Sequence, residues 1–74
     1  MAGKRAEERP GERVEADLRA RLGRGEWQPG DQLPSIAELA GFYQVSPGVI
    51  QRVHRRLAAD GLIRVRENWG TFKA

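Results

Sequence analysis

The sequence has no cysteine, and its only histidine is His54. Without cysteine there is no disulfide framework, no thiolate zinc site and no thiol nucleophile. A single histidine cannot build a histidine-based metal cluster, so we expect no metal, no cofactor and no enzymatic activity. No apolar run approaches the ~20 residues of a membrane span, and no apolar segment follows the basic start as in a signal peptide. These absences predict a cytoplasmic protein without a membrane segment.

The chain is also short, and its charge is unevenly distributed. Its 74 residues allow one small domain and no large ligand pocket. The net charge is +3, but residues 50–74 alone carry six basic and two acidic residues, a net +4. A basic segment on a nearly neutral remainder indicates a localised anionic partner, most often nucleic acid. The alternative is an arginine-rich face that only meets solvent.

The first ten residues are polar, and we interpret residues 1–10 as a flexible N-terminal arm that precedes a domain over residues 11–74. From about Gly11 the pattern becomes helical, because Val14, Leu18 and Leu22 follow one another at intervals of four. The glycines that follow end this first helix.

Two further helices are predicted from their start signals. Ser35 and Glu38 match a capping box, which begins a short helix that runs to about Tyr43. Ser46 is a favourable N-cap for a third helix and Pro47 a favourable first residue. This helix is expected to stop at Gly61, and a short hairpin follows, with strands over 62–66 and 71–73.

The faces of the third helix separate apolar from polar residues. At about 100° per residue, Ile50, Val53 and Leu57 lie on the buried side. The opposite side holds Gly48, Gln51, Arg52, Arg55 and Ala59. Glutamine suits adenine, and arginine suits guanine or phosphate, so this face could read the major groove.

Four other positions carry specific expectations. Gln44, between the second and third helices, should adopt a left-handed or bridge conformation. His54 is expected at the boundary of the core, and Trp27 is expected to pack its turn against the first helix. For Trp69 three alternatives remain open: folding back on the domain, contact with a partner protein, or contact with DNA.

Three helices and a basic hairpin predict a mainly α fold with a small β-hairpin, a winged helix-turn-helix with a two-stranded wing. From about Val14 to Phe72 the chain resembles the DNA-binding domain of the GntR family of bacterial transcription regulators. The segments that carry the resemblance are 25–35, Leu39-Ala40, Val45-Ser46, 57–63 and Gly70-Thr71-Phe72.

The resemblance implies a transcriptional regulator, a repressor, that binds double-stranded DNA in the bacterial nucleoid and pairs with itself on a palindromic site. The candidate DNA-binding residues are Ser35, Ser46, Gly48, Gln51, Arg52, Arg55, Arg64, Arg66, Asn68, Gly70 and Thr71. Members of the family carry a C-terminal effector domain, and we expect no small-molecule effector site within these residues.

The chain departs from the family pattern at positions that usually touch DNA. Ala37 stands where a polar residue is usual, Pro47 where an arginine is usual, Val49 where a threonine is common and Gln51 where an arginine is common. These replacements and Trp69 motivate an alternative function, a winged-helix protein-interaction module with weakened or lost DNA readout.

Overall fold

The computed structural model describes residues 9–74, which form three helices and one two-stranded antiparallel sheet. The elements are α1 (Pro10–Gly23), α2 (Ile36–Tyr43), α3 (Pro47–Ala59), β1 (Ile63–Arg66) and β2 (Gly70–Lys73). The predicted winged helix-turn-helix architecture is confirmed.

Helix α1 begins one residue earlier than the sequence analysis predicted. Pro10 is its first residue, and the carbonyl of Arg9 accepts hydrogen bonds from the amides of Glu12 and Arg13 at 3.0 and 3.1 Å. Proline is favourable at this position because its missing N–H would have no helical partner. The assignment of Pro10 to the arm is therefore wrong, and residues 1–8 of the predicted arm lie outside the described residues.

Side-chain caps begin both helices of the helix-turn-helix. The Ser35 hydroxyl accepts from the Glu38 amide at 3.0 Å, and the Glu38 carboxylate accepts from the Ser35 amide at 2.8 Å, which confirms the capping box. The Ser46 hydroxyl accepts from the amide of Val49 at 3.3 Å. Between the helices, Gln44 has φ 58° and ψ 50°, so the predicted left-handed conformation is confirmed.

The wing is tied to the segment that leads into α2. Within the hairpin, Ile63 pairs with Lys73 and Arg66 with Gly70. On the other edge of β2, Gln32 forms a bridge with Phe72. The Leu33 amide donates to the Thr71 carbonyl at 2.8 Å, and the Lys73 amide donates to the Asp31 carbonyl at 2.9 Å. This third strand-like segment was not predicted, and it fixes the wing beside the start of α2.

The core lies between α3 and the elements packed against it, namely α1, α2 and β1. The buried apolar residues are Val14, Leu18, Leu22, Leu33, Leu39, Ala40, Ile50, Val53, Leu57 and Ile63. His54 is also buried, at 3% exposure, so its predicted place at the core boundary is wrong. A helical wheel places His54 beside the apolar stripe, but neighbouring elements cover α3 on more than one side.

Candidate nucleic-acid interface

The polar face of α3 is exposed, as its periodicity predicted. Gly48, Gln51, Arg52 and Arg55 all lie at the surface. Within residues 9–74 no carboxylate forms an ion pair with Arg52 or Arg55. By contrast, Arg56, one residue further along, donates to the Glu15 carboxylate on α1 at 3.2 Å. The third helix therefore presents two arginines that no acidic side chain of the described chain neutralises.

The N-terminal ends of α2 and α3 carry the two candidate serines. Ser35 and Ser46 are exposed, although each hydroxyl already accepts a backbone amide as a helix cap. At Gly48, an added Cβ would meet only the Ser46 hydroxyl oxygen, at 3.8 Å. The surface at the start of α3 is therefore open to close approach by a ligand.

The wing places most of its candidate residues at the surface. Arg64, Arg66 and Asn68 are exposed, and Gly70 is half-buried with φ 123°. Asn68 has φ 67°, a conformation that the sequence analysis did not predict. Asparagine tolerates this left-handed region better than other non-glycine residues. The presence of an asparagine in the 67–70 turn was therefore the sequence signal for this conformation.

Thr71 is the one candidate residue that the structure buries. Its exposed fraction is 6%, it pairs with Val65 in the hairpin, and its carbonyl accepts from the Leu33 amide. The predicted surface position of its side chain is wrong, because the folded domain covers that side chain.

The side chain of Trp69 is exposed at the tip of the wing. Its exposed fraction is 71%, so the alternative in which it folds back on the domain is wrong. Its neighbours in a shallow groove between the wing and α2 include Ile36, Ala37 and Val65. The wing tip and the first turn of α2 therefore form one continuous, partly apolar surface.

Trp27 does pack its turn against α1, as predicted, and Arg21 mediates the contact. The Arg21 guanidinium carbon lies 4.8 Å from the centre of the Trp27 ring and 5.3 Å from that of Phe42. Arg21 also donates to Glu26 at 2.6 and 2.9 Å and to the Tyr43 hydroxyl at 3.0 Å. The hydrogen bond to Glu26 raises the pKa of Arg21 above its usual value and holds that of Glu26 below it. Arg21 therefore has a structural role, because it joins Trp27, Glu26 and Tyr43 to α1.

Two of the three acidic side chains of α1, Glu15 and Asp17, are held in structural contacts, whereas Glu12 forms no ion pair within residues 9–74. Glu15 pairs with Arg19, four residues further along the same helix, at 2.8 Å, and the hydrogen bond from Arg19 lowers the pKa of Glu15. Asp17 instead accepts from the Tyr43 hydroxyl at 2.5 Å.

Residues 9–74 contain neither a cluster of metal-binding side chains nor a membrane-spanning helix. No group of three or more histidine, cysteine, aspartate or glutamate side chains there is placed to hold a metal ion. No helix in that range is both long and apolar enough to cross a bilayer.

Known proteins have sequences similar to this chain. The chain is 43% identical over 54 residues to the uncharacterized HTH-type transcriptional regulator YhcF of Bacillus subtilis, covering 73% of this chain and 45% of that protein. It is 35% identical over 63 residues to the histidine utilization repressor of Klebsiella aerogenes, covering 85% of this chain and 26% of that protein. The chain thus spans less than half the length of these relatives.

Solved structures show the same fold. The DNA-binding domain of AraR in complex with operator ORX1 superposes with a TM-score of 0.86 at 24% identity, covering 89% of this chain and 80% of that one. Residues 10–72 match the family described as bacterial regulatory proteins, gntR family. The chain belongs to the gntR family of bacterial regulatory proteins and has the winged helix-turn-helix fold of that family's DNA-binding domains.

Proposed function

We propose that this chain binds double-stranded DNA as the DNA-binding domain of a bacterial transcriptional repressor, acting at the nucleoid in the cytoplasm. The observation that carries the proposal is the exposed face of α3, where Arg52 and Arg55 have no acidic partner within residues 9–74. Uncompensated arginines on an exposed recognition helix suit the phosphates and base edges of a major groove. The names of relatives as regulators and repressors support the same function.

In this proposal the residues divide by role. Gln51 reads a base edge, while Arg52 and Arg55 contact guanine or phosphate. Ser35 and Ser46 lie at helix starts, where backbone amides and hydroxyls favour phosphate oxygens. Arg64, Arg66, Asn68 and Gly70 form the wing contact.

The proposal includes pairing of two copies on a palindromic site. One recognition helix reads only a few base pairs, and helix-turn-helix proteins gain specificity by placing two helices one turn of DNA apart. It includes no catalytic step, no cofactor and no small-molecule effector site within these residues.

The first test is a titration of a random-sequence duplex at several salt concentrations. If about four to six phosphates are neutralised, log K falls against log salt with a slope near −4 to −5. Absence of binding at low salt, or a flat response to salt, would contradict the proposal.

The second test compares charge-matched variants. Arg52→Ala and Arg55→Ala should each weaken binding more than Arg13→Ala, which removes an exposed arginine of α1 near Asp17 and Tyr43. Equal losses at all three positions would show that only diffuse charge attracts the duplex.

The second candidate function is a protein-interaction module. It rests on the exposed indole of Trp69 and on the apolar residues Ile36 and Ala37 beside it, where polar contacts to DNA would be expected. It predicts that the domain fails to bind duplex DNA even at low salt.

A further inference from the structure

Trp69 is the most exposed large apolar side chain of the described residues, at 71%, ahead of Phe42 at 68% and Val65 at 55%. Water disfavours an apolar surface as large as an indole ring, and a small domain has little stability to spare. A ligand that covers the ring would remove this cost.

The backbone that carries Trp69 is firmly held, although its ring is not. The Trp69 amide donates to the Arg66 carbonyl at 2.9 Å, which closes the turn. The Trp69 carbonyl accepts from the side-chain amide of Gln32 at 2.9 Å, which ties the tip to the segment before α2. The ring therefore projects from a preorganised base, which lowers the entropy lost when it binds.

The charges around Trp69 are two arginines, Arg64 and Arg66, and one carboxylate, Glu67, and this net positive balance favours an anionic ligand. Arg64 and Arg66 are exposed on β1, and no carboxylate of the described chain forms an ion pair with either of them. A protein partner would need a wider contact, because Trp69 and the few apolar residues beside it fall far short of the area of a stable protein interface. DNA needs less area there, since the arginines supply attraction and the ring needs only one base or sugar.

The position of the tip indicates which groove it meets. Trp69 faces the first turn of α2, residues Ser35 to Ala37, across a shared groove. The first helix of a helix-turn-helix crosses the DNA backbone while the second occupies the major groove. A wing tip beside the start of that first helix is placed to reach across the same backbone into the minor groove.

Resting on the proposed DNA binding, we propose that Trp69 is an apolar wedge that lies against a base step in the minor groove, with Arg66 beside it. Apolar side chains inserted from the minor groove partly unstack a step and kink the duplex. Alternating A·T sequence fits such a wedge best, because its TA steps unstack easily and its minor groove carries no guanine amino group.

The test uses the Trp27→Phe variant, in which Trp69 is the only tryptophan, after thermal melting has shown that it is folded. The probes are two short duplexes, one alternating dA-dT and one alternating dG-dC. Accessibility of Trp69 to the neutral quencher acrylamide is measured without DNA and with each duplex, and affinity is measured by anisotropy of labelled DNA.

The expected result is protection of Trp69 in the dA-dT complex. Trp69→Ala should then weaken dA-dT binding by about tenfold, the size of a lost base–aromatic stack, and dG-dC binding much less. Val65→Ser, which removes another exposed apolar side chain of the wing, should leave both affinities nearly unchanged. Gln32→Ala keeps the Trp69 ring but removes the hydrogen bond that holds the wing tip. Its loss of affinity for dA-dT should therefore lie between that of Trp69→Ala and that of Val65→Ser.

Three results would overturn the inference, and they separate it from the proposed function. Binding with Trp69 fully accessible to acrylamide refutes the wedge and leaves DNA binding intact. Absence of binding to either duplex at low salt refutes both. Self-association without DNA that disappears in Trp69→Ala assigns the ring to a protein contact instead.

Discussion

Glu15 on α1 accepts a hydrogen bond from Arg56 on α3 at 3.2 Å, across 41 positions of the sequence. The same carboxylate pairs with Arg19, and Arg19 also pairs with Asp60, just beyond the end of α3. These contacts link the first helix to both the last turn and the C-terminal end of the recognition helix. They also place a carboxylate beside Arg56, whereas Arg52 and Arg55 have no acidic partner within residues 9–74.

Glu15→Gln should therefore have opposite effects on stability and on DNA affinity. The variant loses the charge that attracts Arg19 and Arg56. Because partly exposed ion pairs contribute about 0.2–1 kcal/mol each, the free energy of unfolding should fall. Arg56 is then released, so the duplex should bind more tightly and with a steeper dependence on salt. Glu12→Gln is the control, because it changes the net charge equally and Glu12 has no ion pair within residues 9–74. Equal tightening in both variants would show a net-charge effect alone.

Gln44→Gly should raise the melting temperature. Gln44 has φ 58°, and a left-handed residue with a Cβ costs about 1–2 kcal/mol. Glycine removes this cost, but its greater conformational entropy in the unfolded chain offsets about 0.5–1 kcal/mol of the resulting stabilisation. The net stabilisation should shift Tm by a few degrees. Asn68→Gly should give a smaller rise at a similar φ of 67°, because asparagine tolerates this region. A lower melting temperature for Gln44→Gly would mean that the glutamine side chain stabilises the turn.

His54 should make the fold sensitive to mild acid. Burial lowers its pKa below the usual value, and neither ring nitrogen has a hydrogen-bond partner in the described chain. Below about pH 6.5 the unfolded chain binds a proton that the folded chain resists. The free energy of unfolding should therefore fall as the pH drops, and should level off only below the folded pKa.

Denaturant titrations at several pH values check this effect. Leucine is similar in size to histidine and has no charged form, so His54→Leu should be more stable and nearly insensitive to pH between about pH 7 and pH 5. Loss of the Glu15 ion pairs begins at lower pH, since that carboxylate has a lowered pKa. An unchanged pH profile in His54→Leu would assign the acid sensitivity to another group.

Without DNA the chain should be monomeric at micromolar concentrations. The apolar faces of its three helices are used in one core, and the large apolar side chains left exposed, Phe42, Val65 and Trp69, offer too little area for a stable dimer. Analytical ultracentrifugation measures this directly. A dimer that persists at low micromolar concentration without DNA would contradict the expectation.

Local chemistry made much of this fold predictable. The capping box at Ser35, the cap at Ser46 and the left-handed Gln44 depend on residues within a few positions of one another, and each was found where it was predicted. The exposed face of α3 followed from helical periodicity. These features need no knowledge of distant neighbours.

Features set by distant segments were not predictable in the same way. His54 and Thr71 are buried because other elements cover them. The residues next to them in the sequence do not indicate this burial. The bridge between Gln32 and Phe72 joins positions 40 apart, and no turn signal announces it. Whether the candidate residues touch DNA remains a prediction, since it depends on a partner that the sequence does not contain.

The bridge between Gln32 and Phe72 has a mechanical consequence for DNA recognition. It joins the wing to the entry of α2, so the wing tip and the helix-turn-helix form a single body with a fixed spacing. A duplex whose neighbouring grooves do not match that spacing must itself twist or bend to fit. Affinity should then depend on how easily the DNA between the two contacts deforms, including base pairs that no side chain reaches.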